Sequence, residues 1–195
     1  MMDINLFRAE DSIYLKKIKS KSEISKDDSC DGYLIEADEK MARRIVESLR
    51  KSGKKIGIVF PRDGSGEPGG NDAFNRRVVE TLRVDYLVSP ERGDKKDSLK
   101  QRDSGINHVV AKLAKEKGVL IVVDFNSIRK LKGKELALRL GRVIQNVKIC
   151  RKASCGFRIG SFGSCGSEVV DEKGRKVFGL SLGMSTKQSR ESILF

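Results

Sequence analysis

Residues 102–125, RDSGINHVVAKLAKEKGVLIVVDF, set an amphipathic segment directly before a nearly uninterrupted apolar run. In SGINHVVAKLAKEKG (104–118), Ile106, Val109, Val110, Leu113 and Ala114 recur at helical spacing, and Gly118 follows as a common helix stop. VLIVVDF (119–125) then shows no polar alternation, as a strand covered on both faces requires. A helix leading into such a strand is the repeating unit of a parallel sheet.

The same alternation extends along the chain. Strand-like runs stand at DINLF (3–7), YLIE (33–36), KIGIVF (55–60), VDYLVS (84–89) and GFRIGS (156–161), with RRVVET (76–81) as a weaker strand candidate. ADEKMARRIVESLRKSG (37–53) carries Met41, Ile45, Val46 and Leu49 on one helical stripe. GKELALRLGRVIQNVKICRK (133–152) carries Leu136, Leu140, Val143, Val147 and Cys150 on another. DEKGRKVFGLSLGM and STKQSRESI predict two short terminal helices, the second capped by Ser185. KKIKSKSEISKDDSCDG (16–32) predicts a solvated loop or frayed helix. Right-handed βα units leave two architectures, an open doubly wound sheet or a closed barrel. Seven strands in 195 residues make a tight barrel, just under the usual lower size of about 200 residues. One domain spanning 1–195 is expected.

Forty Lys and Arg against 27 Asp and Glu leave a formal charge of +13, which favours a polyanionic partner. RNA is favoured over a DNA reader, because no zinc-finger spacing or basic-region heptad occurs. No run approaches the roughly 20 apolar residues of a membrane span. The opening MMDINLFRAEDSIYLKK lacks the layout of a secretory signal, so a cytoplasmic location is expected. Cys30, Cys150, Cys155 and Cys165 include no C-x-x-C pair, and reduced, mostly buried thiols are expected in place of a zinc site.

Three stretches invite a chemical reading. GSGEPG (64–69) matches G-x-G-x-x-G after a strand, and Asp85 lies near the spacing of a ribose-binding acid. However, Pro61, Arg62 and Asp63 separate strand from glycine, and GGND follows where an apolar helix should start, so a polar loop is the better reading. GSFGSCGS (160–167) offers backbone N–H groups for a phosphate but has no P-loop lysine, and Ser164 and Cys165 have no nearby base. His108 is the only histidine. Helical phase places it with Lys112 and Lys115 on the polar face, and without a second histidine it cannot build a metal centre or relay. Asp103 and Ser104 are expected to cap this helix, leaving Arg102 outside the cap to face a partner.

NRRVVET through VDYLVSP, followed by RDSGINHVVAKLAKEKGVLIVVDF, resembles the ribonuclease P protein component 3 family. The resemblance rests on the R-x-V-E-T turn into VDYLVSP, the D-S-G-I-N-H helix start, the A-K-L-A helix body and the V-x-I-x-x-x-F strand. DINLF and GLSLGMSTKQSRESI resemble the family's first strand and closing helices. Two departures stand out. ERGDKKDSLKQR is longer and more charged than the family's short G-R-K link, and the 160–167 loop carries an extra glycine and Cys165.

The resemblance implies a compact TIM-like α/β barrel related to the polymerase-and-histidinol-phosphatase (PHP) metal hydrolases. It implies a protein subunit of ribonuclease P, the enzyme that removes the 5′ leader of precursor tRNA, with catalysis by the RNA and its Mg2+. The implied partners are the ribonuclease P RNA, protein component 2 and, through the holoenzyme, precursor tRNA. No catalytic residue, metal or cofactor is expected in the chain itself. Asp3 and Asn5 match the positions of the hydrolases' H-x-H metal-binding pair. The expected RNA contacts are Arg76, Arg77, Arg102, His108, Lys112, Lys117, Arg139, Arg142 and Arg151. With few aromatic side chains, recognition is expected through backbone and shape. The alternative is a metal-dependent PHP-type phosphoesterase, and a dinucleotide-binding enzyme ranks last.

Overall fold

The computed structural model describes residues 2–25, 29–61, 70–93, 97 and 102–195. The described residues form seven strands: β1 (Asp3–Asn5), β2 (Ser12–Ile18), β3 (Gly32–Glu36), β4 (Lys55–Val59), β5 (Tyr86–Val88), β6 (Leu120–Asp124) and β7 (Phe157–Gly160). They lie in sequence order and every neighbouring pair is parallel. The first and last strands meet: the Ile4 carbonyl accepts from Phe162 N–H at 2.8 Å, and Gly163 O accepts from Leu6 N–H at 2.9 Å. Of the two architectures open to the sequence, the chain adopts the nearly closed barrel.

The helices are α1 (Glu39–Leu49), α2 (Gly70–Thr81), α3 (His108–Lys117), α4 (Phe125–Arg129), α5 (Gly133–Ala153), α6 (Glu172–Ser181) and α7 (Thr186–Glu191). Alternate strand residues face two separate cores. Tyr33, Ile35, Leu87, Ile121 and Val123 join the helices in the outer core, while Leu34, Tyr86, Val88 and Val122 fill the barrel interior. The strand period of two with both faces apolar explains the uninterrupted apolar run of VLIVV. No helix among the described residues is long and apolar enough to cross a membrane. Cys30, Cys150 and Cys155 are buried free thiols and Cys165 is an exposed one.

Several local expectations are corrected. RRVVET is the last half of α2, where Val78 and Val79 sit with Phe74 in the outer core. Helix packing there outweighs the strand preference of two adjacent valines. Lys16–Ile18 close β2, whose Ile13, Leu15 and Ile18 are buried between polar residues. A short turn with Asp11 at φ +49° joins β1 directly to β2, with no helix between the parallel pair. The cap of α3 is Asn107, whose Oδ1 accepts from Val109 N–H at 2.9 Å and Val110 N–H at 3.0 Å. Ser104 is buried before the helix, where its carbonyl accepts from Asn146 Nδ2 of α5 at 2.8 Å, so neither it nor Asp103 caps α3. Val109, placed in the apolar stripe, is 49% exposed. Gly118, at φ +70°, ends α3, and Ser185 caps α7, as the sequence predicts. GSGEPG lies outside the described residues.

Candidate nucleic-acid interface

The carboxyl ends of the strands are where a barrel of this kind carries its chemistry. Here those ends are closed by ion pairs. Asp3 Oδ1 accepts from Ile4 N–H at 2.7 Å and Ser161 N–H at 3.0 Å, and faces Arg175 Nη1 at 3.0 Å. Asn5 Oδ1 accepts from Gly163 N–H at 3.1 Å. Glu36 lies 2.6 Å from Lys17 Nζ and 3.7 Å from Arg92 Nη2. Asp124 caps α4, accepting from Ser127 N–H at 2.8 Å.

Asp3 Oδ1 is already surrounded by three donors, one of them a guanidinium whose charge opposes a cation at that oxygen, while Asp3 Oδ2 and Asn5 Nδ2 are buried without a hydrogen-bond partner among the described residues. Among the described residues, no group of three or more His, Cys, Asp or Glu side chains is placed to hold a metal ion. The 160–167 loop is likewise engaged within the chain. The N–H groups of Ser161, Phe162, Gly163 and Ser164 donate to Asp3, Ile4 O, Asn5 and Glu168, which leaves them turned away from any phosphate.

Glu91 is fully buried, 3.6 Å from Arg139 Nη1. Burial pushes its carboxyl above the ordinary value of 4.5, with Arg139 opposing the rise. A carboxyl raised on folding contributes stability that is fully present below its unfolded value and is lost as pH climbs through the folded one. Urea unfolding of the native protein should therefore show stability falling as pH rises from about 4.5, relative to Glu91→Gln. Parallel pH profiles for the two proteins would contradict this assignment.

The nine basic residues expected to meet RNA divide into three groups. Arg76 pairs with Glu80 at 2.6 Å, Lys117 Nζ donates to the Glu80 carbonyl, and Arg77 pairs with Glu39 of α1, so these three gather along α2. Arg102, His108, Lys112 and Arg151 are exposed. The Arg102 side chain lies over Gly141 of α5, where any Cβ would collide with its guanidinium. Arg151 Nη1 donates to Gly183 O at 3.2 Å near the far end of α5. Lys117 lies nine positions after His108, about two and a half turns of helix, so these two leave α3 on opposite sides.

The third group turns inward. Arg142 is 7% exposed, pairs with Asp97 at 2.8 Å and donates to the Gly93 carbonyl at 2.6 Å. Arg139 faces Glu91. Both guanidinium groups hold the segment after β5 against α5, which corrects their expected place on the surface. Residues that sequence reasoning missed lie at the opposite end of the barrel. Arg50, Lys54, Lys55 and Arg83 join Lys117 around a cavity of about 700 Å3. Their signal in the sequence is the basic residue that follows, or closes, each of α1, α2 and α3.

No family model matches the chain. It is 31% identical over 111 residues to the ribonuclease P protein component 3 of Methanocaldococcus jannaschii, covering 57% of this chain and 42% of that relative. The component 3 protein of Methanococcus maripaludis strain C6 is 25% identical over 118 residues, covering 60% and 45% respectively. The matched region thus spans less than half the length of these curated relatives. A chain from the cryo-EM structure of archaeal ribonuclease P with mature tRNA superposes with a TM-score of 0.73 at 22% identity, over 98% of this chain and 86% of that one. That likeness shows a shared TIM-like barrel fold. The curated relatives show the resemblance to ribonuclease P protein component 3 that residues 75–125 first suggested.

Proposed function

We propose that this chain is a protein subunit of ribonuclease P, a noncatalytic barrel that binds the ribonuclease P RNA and supports removal of the 5′ leader from precursor tRNA. The observation that carries the reading is its kinship with component 3 proteins. The charge of +13 supports it, as do the ion-paired carboxylates at the barrel mouth. The RNA and its Mg2+ perform the chemistry. This chain contributes cations that offset phosphate repulsion between packed RNA helices, reading shape more than base edges. Protein component 2 is the proposed protein partner, and the particle is cytoplasmic. Arg102, His108 and Lys112 form one proposed contact edge.

Reconstitution with ribonuclease P RNA and the other subunits tests this. Reversing the charge of Arg102 and Lys112 should lower cleavage of precursor tRNA at low Mg2+ and reduce the slope of log affinity against log salt by about 2, near 0.9 per phosphate contact. Circular dichroism should show the fold unchanged. Unaltered cleavage and salt slope would overturn the contact assignment. Hydrolysis of a phosphate ester by the purified chain alone, with retained metal, would overturn the function in favour of the phosphoesterase.

A further inference from the structure

We propose that the amino-terminal floor of the barrel is a second RNA-binding site, a track for a single-stranded segment. It rests on the ribonuclease P reading for the identity of the polyanion, but its geometry is separate from the α3 edge. The cavity of about 700 Å3 opens between the carboxyl ends of α1, α2 and α3, beneath the starts of β4, β5 and β6. Arg50, Lys54, Lys55, Arg83 and Lys117 line it, with Asp85 as the only acid among its lining residues. Asp85 is already engaged, accepting from Lys55 Nζ at 3.1 Å and from Ile56 N–H at 2.9 Å.

Basic residues at helix carboxyl ends also have a local cause, because each terminus carries about −0.5 charge. Three termini amount to about −1.5, which five cations exceed even after Asp85 is counted. Two of those cations serve the backbone directly: Lys54 Nζ donates to Cys30 O and Lys117 Nζ to Glu80 O. The exposed guanidinium groups of Arg50 and Arg83 have no hydrogen-bond or ion-pair partner among the described residues. Guanidinium forks match phosphate oxygens in a bidentate geometry.

The cavity is larger than one phosphate requires, and it does not end at its own rim. A second cavity of about 580 Å3 shares Lys55 and Asp85 with it and continues beneath the barrel to Arg8, which pairs with Asp31 at 3.7 Å, and to Tyr86 and Phe195. Tyr86 and Phe195 meet edge to face at 6.3 Å. Tyr86 is buried behind the half-buried Phe195, so one ring is left to meet a base. Cations followed by that ring along one groove supply the two elements of single-strand binding: backbone neutralisation and a stacking surface. A flexible single strand can bend to follow two joined cavities and set its phosphates against Arg50 and Arg83.

Fluorescence anisotropy of the full chain with a labelled ten-residue oligouridylate tests the track. Native protein should bind with a marked salt dependence. Arg50→Glu with Arg83→Glu should weaken binding at least tenfold and reduce the salt slope by about 1.4, near 0.7 per single-strand phosphate. Lys173→Glu with Lys187→Glu, the same change in net charge on exposed residues of α6 and α7, should leave binding within about twofold. Arg50→Gln with Arg83→Gln repeats the measurement if the reversal variant fails to fold. Equal losses in the floor and control variants would overturn the site, as would equal affinity for a duplex of the same length or full competition by an acidic peptide. The ribonuclease P reading fails separately, if native protein binds the oligonucleotide through the floor yet gives no stimulation of ribonuclease P RNA in reconstitution.

Discussion

Replacing Arg175 by alanine is expected to destabilise the protein by about 3–5 kcal/mol, the usual effect of removing one partner from a buried ion pair. Arg175 and Asp3 are both buried, and their Nη1 and Oδ1 atoms lie 3.0 Å apart. The same guanidinium donates to the Ile159 carbonyl at 3.3 Å, so it ties α6 to both β1 and β7, where the barrel closes. Without it, Asp3 is an uncompensated charge inside the mouth. The companion variant Asp3→Asn with Arg175→Met removes both charges while keeping an oxygen for the Ile4 and Ser161 amides. It should recover much of the loss, because the cost lies in stranding a charge more than in forfeiting the attraction. Urea unfolding measures both; an Arg175→Ala protein within 1 kcal/mol of native would contradict the clasp, on the roughly 3–5 kcal/mol scale given above.

Phe74→Ala should cost about 3–5 kcal/mol through lost burial and the cavity left behind. Phe74 is completely buried on α2 and packs edge to face on Phe60, beyond the end of β4, at 5.3 Å between ring centroids. The ring pair adds about 0.5–1.5 kcal/mol to the burial of the side chain. Phe74→Leu keeps an apolar side chain in the site and should cost less. The midpoint of urea unfolding should order the proteins as native, then leucine, then alanine. A smaller effect for alanine than for leucine would mean that α2 does not pack as described.

Both variants bear on how far the sequence can be read. The β4, β5 and β6 runs were legible because their apolar residues are contiguous, and contiguous apolar strands need cover on two faces; in β7 the signal was Phe157 and Ile159 on either side of Arg158. The β2 strand was not legible, since SIYLKKI alternates buried and polar residues and merges into the lysine-rich segment after it. RRVVET carried a strand-like local preference, and only Phe74 one turn earlier, facing the same core, makes it helix. The cap of α3 shifted from Asp103 and Ser104 to Asn107 because Ser104 is buried against α5 and the chain turns at Gly105, φ +76°, before the helix begins.

The candidate interface divides along the same line. The excess of Lys and Arg, the solitary histidine and the segment shared with component 3 proteins are properties of the sequence by itself, and so is the polar phase of His108 on its helix. Which cations are available to a partner was decided only by tertiary structure. Arg139 and Arg142 look as free in sequence as Arg102, but their acceptors, Glu91 and Asp97, lie on a segment more than forty residues away. Arg50 and Arg83 look like ordinary helix ends until the barrel brings those ends around one cavity. Composition and periodicity act over a few turns of backbone, whereas the pairing of charges depends on which elements the closed sheet sets side by side.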